Sequence, residues 1–259
     1  MALNFPPKPD VQLENSPLVE VICQARFPPI LRIATEEPSE FQEQIRSTFP
    51  LVELEHAFFV RIPGPGAKGS PAAEPQTRTY RFRTVDGHTA ISLATDFFAL
   101  STDHYSHWEA FARLLSLTHE AVQHVYRPSY ATRIGLRYVN RLSPVNTGCG
   151  TAAELFDILR PELTQQSRSE AWSDPIEMRG RLVLTSDEAK LTLGTGYGVE
   201  EGQPFFLLDF DYFEEGQLDL NELVDRCSRY NDVIYRAFRW CVRDEKLDVF
   251  RPRMKEPSK

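Results

Sequence analysis

From Ser129 to Pro144 the apolar residues Ile134, Leu136, Tyr138 and Leu142 alternate with Arg133, Arg137 and Arg141. Period-two spacing sends the two sets to opposite faces of a strand. One face belongs in a core; the other is a ladder of arginines. This strand, near the middle of the chain, separates two stretches with the same order of elements.

In the first stretch, Val19, Val21, Cys23, Ala25 and Phe27 alternate with Glu20, Gln24 and Arg26, which predicts a strand that Pro28-Pro29 stops. Ser39 is a plausible N-cap, and Phe41, Ile45 and Phe49 predict a short helix to about Thr48, ended by Pro50. Strands are expected over His56 to Ile62, Thr77 to Val85, His88 to Ala94 and Phe97 to Ser101, with Asp86-Gly87 as a hairpin turn. Residues 63–76, rich in Gly, Pro and Ala, predict a flexible loop. From Ser106 the period changes: Trp108, Phe111, Leu115, Thr118, Val122 and Val125 step by three and four, one face of a long helix.

The second stretch repeats this syntax. Thr151 caps a short helix carrying Leu155, Ile158 and Leu159, and residues 164–175 predict a second loose loop. Strands are expected over Glu177 to Ser186, Lys190 to Tyr197 and Pro204 to Glu214, with Gly194, Gly196 and Gly198 read as a kinked strand end or tight hairpin. Leu220, Leu223, Cys227, Tyr230, Ile234, Ala237 and Cys241 predict a second long helix. The expected fold is α+β, a duplicated unit of strand, short helix, three or four antiparallel strands and long helix. Its strands form one curved sheet with the helices on one face, similar to the TATA-binding-protein-like saddle in topology alone. The boundaries are an N-terminal tail 1–16, a first repeat 17–128, a second repeat 129–247 and a C-terminal tail 248–259.

Composition narrows function more than fold. The chain has 259 residues, 41% hydrophobic and 25% charged, ordinary for a globular protein, and a formal net charge of −8. That acidity disfavours a protein that coats a nucleic-acid backbone, which needs a basic surface. No apolar run is long enough for a membrane span and no signal-peptide pattern opens the sequence, so the cytoplasm is expected. Cys23, Cys149, Cys227 and Cys241 form no Cys-x-x-Cys pair; three of them fall within element patterns and are expected to be buried free thiols.

Four segments, Pro17 to Val21, Arg133 to Arg141, Leu207 to Asp211 and Asn231 to Phe238, resemble in order and spacing a sporadically distributed prokaryotic family of uncharacterised function. The likeness covers the chain from about Ser16 to Leu247. It implies a prokaryotic origin and supplies no catalytic residues. A role in defence or toxin neutralisation is suggested by the sporadic distribution alone.

The candidate chemistry lies on the polar sheet face, where Arg81, Arg83, Arg133, Arg137, Arg141, Arg179 and Arg181 are expected to project together with Asp209 and Asp211. One reading is a lattice of cross-strand ion pairs that solubilises an exposed sheet. The other is an arginine-lined surface that grips a partner protein, an acidic or phosphorylated ligand or, less favoured by the net charge, single-stranded nucleic acid, because guanidinium forks match carboxylate and phosphate bidentately. His104, His107, His119 and His124 lack metal-ligand spacing, and neither a nucleophile elbow nor a phosphate loop is present, so no metal, cofactor or catalytic residue is assigned. Asp209 and Asp211 are read as counter-charges rather than an acid pair. The expectation is a non-enzymatic, cytoplasmic, prokaryotic binding protein; Trp240 and Phe250 are read as closing the core, with a homodimer contact as the alternative. The alternative is a nucleotide-dependent enzyme or nucleic-acid-processing accessory with a site between the two halves.

Overall fold

The computed structural model describes residues 3–57, 77–167, 175–186 and 188–254. In chain order the strands and helices are β1 (Val11–Leu13), β2 (Leu18–Arg26), α1 (Leu31–Thr35), α2 (Ser39–Ile45), β3 (Leu51–Ala57), β4 (Thr77–Arg83), β5 (Thr89–Ala94), β6 (Phe97–Thr102) and α3 (Trp108–Val125). There follow β7 (Ala131–Leu142), α4 (Pro144–Thr147), α5 (Ala152–Ile158), α6 (Pro161–Thr164), β8 (Met178–Ser186), β9 (Ala189–Glu200), β10 (Gln203–Leu218), α7 (Leu223–Cys241) and β11 (Pro252–Met254). The fold is mixed α+β, with one large antiparallel sheet ordered β3-β4-β5-β6-β2-β7-β10-β9-β8 and a separate β1-β11 pair. Two compact units divide the chain, one of residues 1–22, 135–215 and 225–259, the other of residues 23–134 and 216–224.

In the first unit the apolar set of β7, Leu136, Tyr138 and Leu142, is buried, as are Phe206, Leu208, Phe210 and Tyr212 of β10. The helices cover this side. Phe156 of α5 meets Tyr197 and Phe206 with ring centroids 5.0 and 6.1 Å apart, and Tyr230 of α7 meets Tyr212 at 5.1 Å. All seven residues of the second predicted helical stripe, from Leu220 to Cys241, are buried. Thr151 caps α5 through a reciprocal box: its hydroxyl accepts from the Glu154 amide, and the Glu154 carboxylate accepts from the Thr151 amide. In the second unit Phe41 of α2 packs edge-on against Phe82 of β4, and Phe111, Leu115, Thr118, Val122 and Val125 of α3 are buried. Cys23, Cys227 and Cys241 are buried free thiols, as expected.

At β9 and β3 the local structure differs from the sequence expectation. The glycines of β9 do not interrupt it. Both neighbouring ladders run through Gly194 and Gly196, the β10 ladder continues through Gly198, and the hairpin turn lies instead at Glu201 and Gly202, with φ of 50° and 78°. Two successive positive φ values make the type I′ turn that matches strand twist. β3 begins at Leu51, directly after Pro50, so the strand expected over His56 to Ile62 overlaps it only at His56 and Ala57, and its remainder lies outside the described residues. The flexible loop expected over 63–76 also lies outside them, as does 168–174 of the second loop.

The segments read as tails make ordered contacts. β1 pairs with β11, the Tyr235 and Arg239 side chains donate to the Pro9 carbonyl at 2.6 and 3.1 Å, and Lys8 meets Asp244 at 2.5 Å. Phe250 is buried beside Phe238, and Trp240 faces Phe5 at 5.9 Å.

Candidate functional site

The arginine side of the first unit follows from alternation along three neighbouring strands. On β7 the alternate positions are Arg137, which is exposed, with Val139 and Arg141; on β10 they are Phe205, Leu207, Asp209 and Asp211, and these six are only partly buried. The β10–β9 register sets Phe205 opposite Gly198, Leu207 opposite Gly196 and Asp209 opposite Gly194. The β9–β8 register continues the rows to Arg179 opposite Gly196 and Arg181 opposite Gly194.

Arg137 and Asp209 form a two-pronged pair. Nε and Nη2 of the guanidinium donate to the two carboxylate oxygens, each at 2.7 Å, with the side chains 45% and 31% exposed. The hydrogen bonds to Asp209 hold the guanidinium pKa above its ordinary value, and the charges of Asp211 and Glu20 act in the same direction. Arg141 is held differently. Its guanidinium lies 4.1 Å from the centre of the Phe205 ring and pairs with Glu200 of β9. The tip of that ring covers Gly198, where an added Cβ would stand 2.7 Å from Cζ. Glycine at 198 is what lets the stack form. Gly194 and Gly196 are under no such constraint, since a Cβ there would meet its nearest neighbours at 3.4 and 3.8 Å, ordinary contacts.

The other sequence-predicted residues are placed as follows. Arg179 pairs with Glu177 of its own segment at 2.5 Å and is 84% exposed. Arg181 is exposed and has no carboxylate partner among the described residues. Arg83 meets Glu53 at 3.2 Å in the second unit, where Arg81 stands opposite Glu53 in the β3–β4 register. Arg133 belongs to the second unit and is partly buried. The structure therefore brings Asp209 onto Arg137 and Glu53 onto Arg83, while Arg179 and Arg181 share rows with glycines. Sequence reasoning passed over Glu200, Phe205, Glu53 and the role of Gly198. Phe205 was legible as the same-face neighbour of Asp209 two residue pairs away, whereas Glu200 needed the hairpin register.

On the helix side of β10, Glu214 receives the Arg226 guanidinium of α7, with side chains 13% and 17% exposed. Burial, and then the carboxylate beside it, push the Tyr230 hydroxyl pKa well above its ordinary value. Burial likewise raises the Cys241 thiol, which suits an inert core residue rather than a nucleophile. Among the described residues no group of three or more His, Cys, Asp and Glu side chains is arranged to hold a metal ion. No described helix is long and apolar enough to cross a membrane.

The chain matches no protein-family model and no curated protein, so the functional reading rests on this geometry.

Proposed function

We propose that this chain is a non-enzymatic binding protein that presents the arginine side of its sheet to an acidic partner or ligand, working in the cytoplasm of a prokaryote. The observation that carries the reading is the arginine side of the first unit, which is partly exposed among the described residues. Arg137 and Arg141 are held there by a carboxylate fork and a ring, yet stay partly exposed, and Arg181, on β8 in the row of Gly194 and Asp209, has no carboxylate partner among the described residues. A guanidinium fixed before binding loses little rotamer freedom on contact, and its remaining N–H groups stay aimed outward. In Arg137 that group is Nη1, which makes no hydrogen bond among the described residues. The intramolecular ion pairs thus serve as preorganisation as well as solubilisation, and the two readings of the face become one.

The same reading takes the chain as two copies of one folding unit, saddle-like in topology. It is supported by the strand order, in which β2 and β7 open the two halves and stand side by side, with β6-β5-β4-β3 running outward from one and β10-β9-β8 from the other. Each half closes with its long helix, α3 or α7.

The test is fluorescence anisotropy at low ionic strength with three labelled probes: an oligo-glutamate peptide, a phosphorylated peptide and a single-stranded oligonucleotide. Binding of an acidic probe that weakens with salt, and that R137Q/R141Q/R181Q abolishes while thermal stability stays nearly unchanged, supports the proposal. Equal binding by the triple variant, or no binding of any probe by the wild type, overturns it.

A further inference from the structure

β3 and β8 stand at the two ends of the strand order, so one side of each carries backbone N–H and C=O groups with no ladder partner among the described residues. Such edges template pairing with another chain unless charge, proline or a bulge blunts them. Neither strand contains proline, and both expose large apolar side chains: Leu51, Val52 and Leu54 on β3 at 46%, 50% and 44%, Leu182 and Val183 on β8 at 50% and 44%.

The existing registers say which side each residue serves. Val52 stands opposite buried Phe82 and Leu182 opposite buried Leu193, so both belong to the helix sides of their units. Glu53 stands opposite Arg81 and Arg181 opposite Gly194, on the arginine sides. If β3 of one molecule lies antiparallel to β8 of another with Glu53 facing Arg181, then Val52 faces Leu182 and Leu51 faces Val183. A single register makes two apolar pairs and sets Glu53 opposite Arg181 and Glu55 opposite Arg179, and the sides of the two strands agree. A slip of one residue sets apolar against charged and reverses the sides.

Pairing of like edges is disfavoured. Met178–Ser186 carries Arg179 and Arg181 and no carboxylate, and β3 carries Glu53 and Glu55 and no Lys or Arg. Two β8 strands gather four cations, and two β3 strands gather four acids. Glu53 is 54% exposed beside Arg83, leaving room for a second guanidinium, and Arg181 has no acid among the described residues.

We propose that copies of this chain associate edge to edge, β3 of one adding as a strand beside β8 of the next. The contact is heterologous, because each copy uses one edge and keeps the other. One strand pair lies at or below the low end of standard interfaces, roughly 1,200 Å², so the association is weak and concentration-dependent.

Sedimentation velocity on wild type and variants tests this at low salt. The wild type is expected to gain weight-average mass as concentration rises from about micromolar toward millimolar. V52K and L182K, each at a half-exposed position, stay monomeric alone, with circular dichroism confirming that they fold. Their equimolar mixture forms a 1:1 dimer and nothing larger, since V52K retains a working β8 and L182K a working β3. R181E, at an exposed arginine, weakens self-association at least tenfold without touching the apolar contacts. A wild type that remains monomeric over the whole range overturns the proposal. So does association by either lysine variant alone, or a mixture that stays monomeric while the wild type associates.

Discussion

Two arginine–carboxylate pairs lie on opposite sides of β10, and they differ in nearly everything except chemistry. Asp209 faces the arginine side, where Arg137 clasps it with both partners partly in water. Glu214 faces α7, where Arg226 reaches it with both side chains more than four-fifths buried and the Tyr230 ring alongside. Exposed pairs add little to stability, because water already solvates the charges and salt screens them. A buried pair repays its desolvation only when both members are present. Alternation along one strand thus assigns the same ion pair to a surface role or to a latch between sheet and helix.

The largest expected effect comes from breaking the buried pair on one side only. R226M leaves Glu214 charged and desolvated beneath α7, and should lower unfolding stability by about 3–5 kcal/mol in denaturant titration. Replacing both partners, as R226M/E214L, should recover most of the loss. A cost for R226M no greater than that of an exposed pair would erase the distinction drawn across β10.

An intermediate effect is expected at Gly198, where the surface role depends on packing. A methyl group there stands 2.7 Å from the Phe205 ring tip, so G198A must swing the ring away and take the Arg141 seat with it. Overpacking of this kind costs about 1–3 kcal/mol. G196A is the control: its Cβ meets only ordinary contacts, and removing glycine from a strand interior should be neutral or stabilising by up to about 1 kcal/mol. Thermal melts of the two variants separate steric need from simple glycine flexibility.

Much of this was legible in the sequence because it is periodic. Alternation sorted Ile134 and Leu136 from Arg137, and every α7 position that the three-four rhythm picked, from Leu223 to Cys241, is buried, though it passed over the buried Phe238 and Arg239. The glycines of β9 were misread because glycine signals both turns and flat strands, and only the cross-strand register decides between them. The Pro9 carbonyl's hold on Tyr235 and Arg239 joins residues more than two hundred positions apart, a pairing that no local pattern announces. Arg226 was within reach: it lies four residues before Tyr230, at the margin of the apolar stripe, where a charge that cannot reach water requires a partner.

The smallest expected effect falls on the exposed pair itself. D209N keeps the shape of the side chain and one carbonyl acceptor but removes the negative charge that Arg137 grips through two hydrogen bonds. Stability should fall by only about 0.2–1 kcal/mol, since the guanidinium stays solvated and retains the charges of Asp211 and Glu20 nearby. Affinity for an acidic probe should fall with it, because Arg137 loses the carboxylate fork that holds it in place before binding. A loss above about 2 kcal/mol would place Asp209 with Glu214 as a structural latch. Strengthened probe binding in low salt would instead mean that the net charge of the face, rather than the fork's geometry, is what a partner reads.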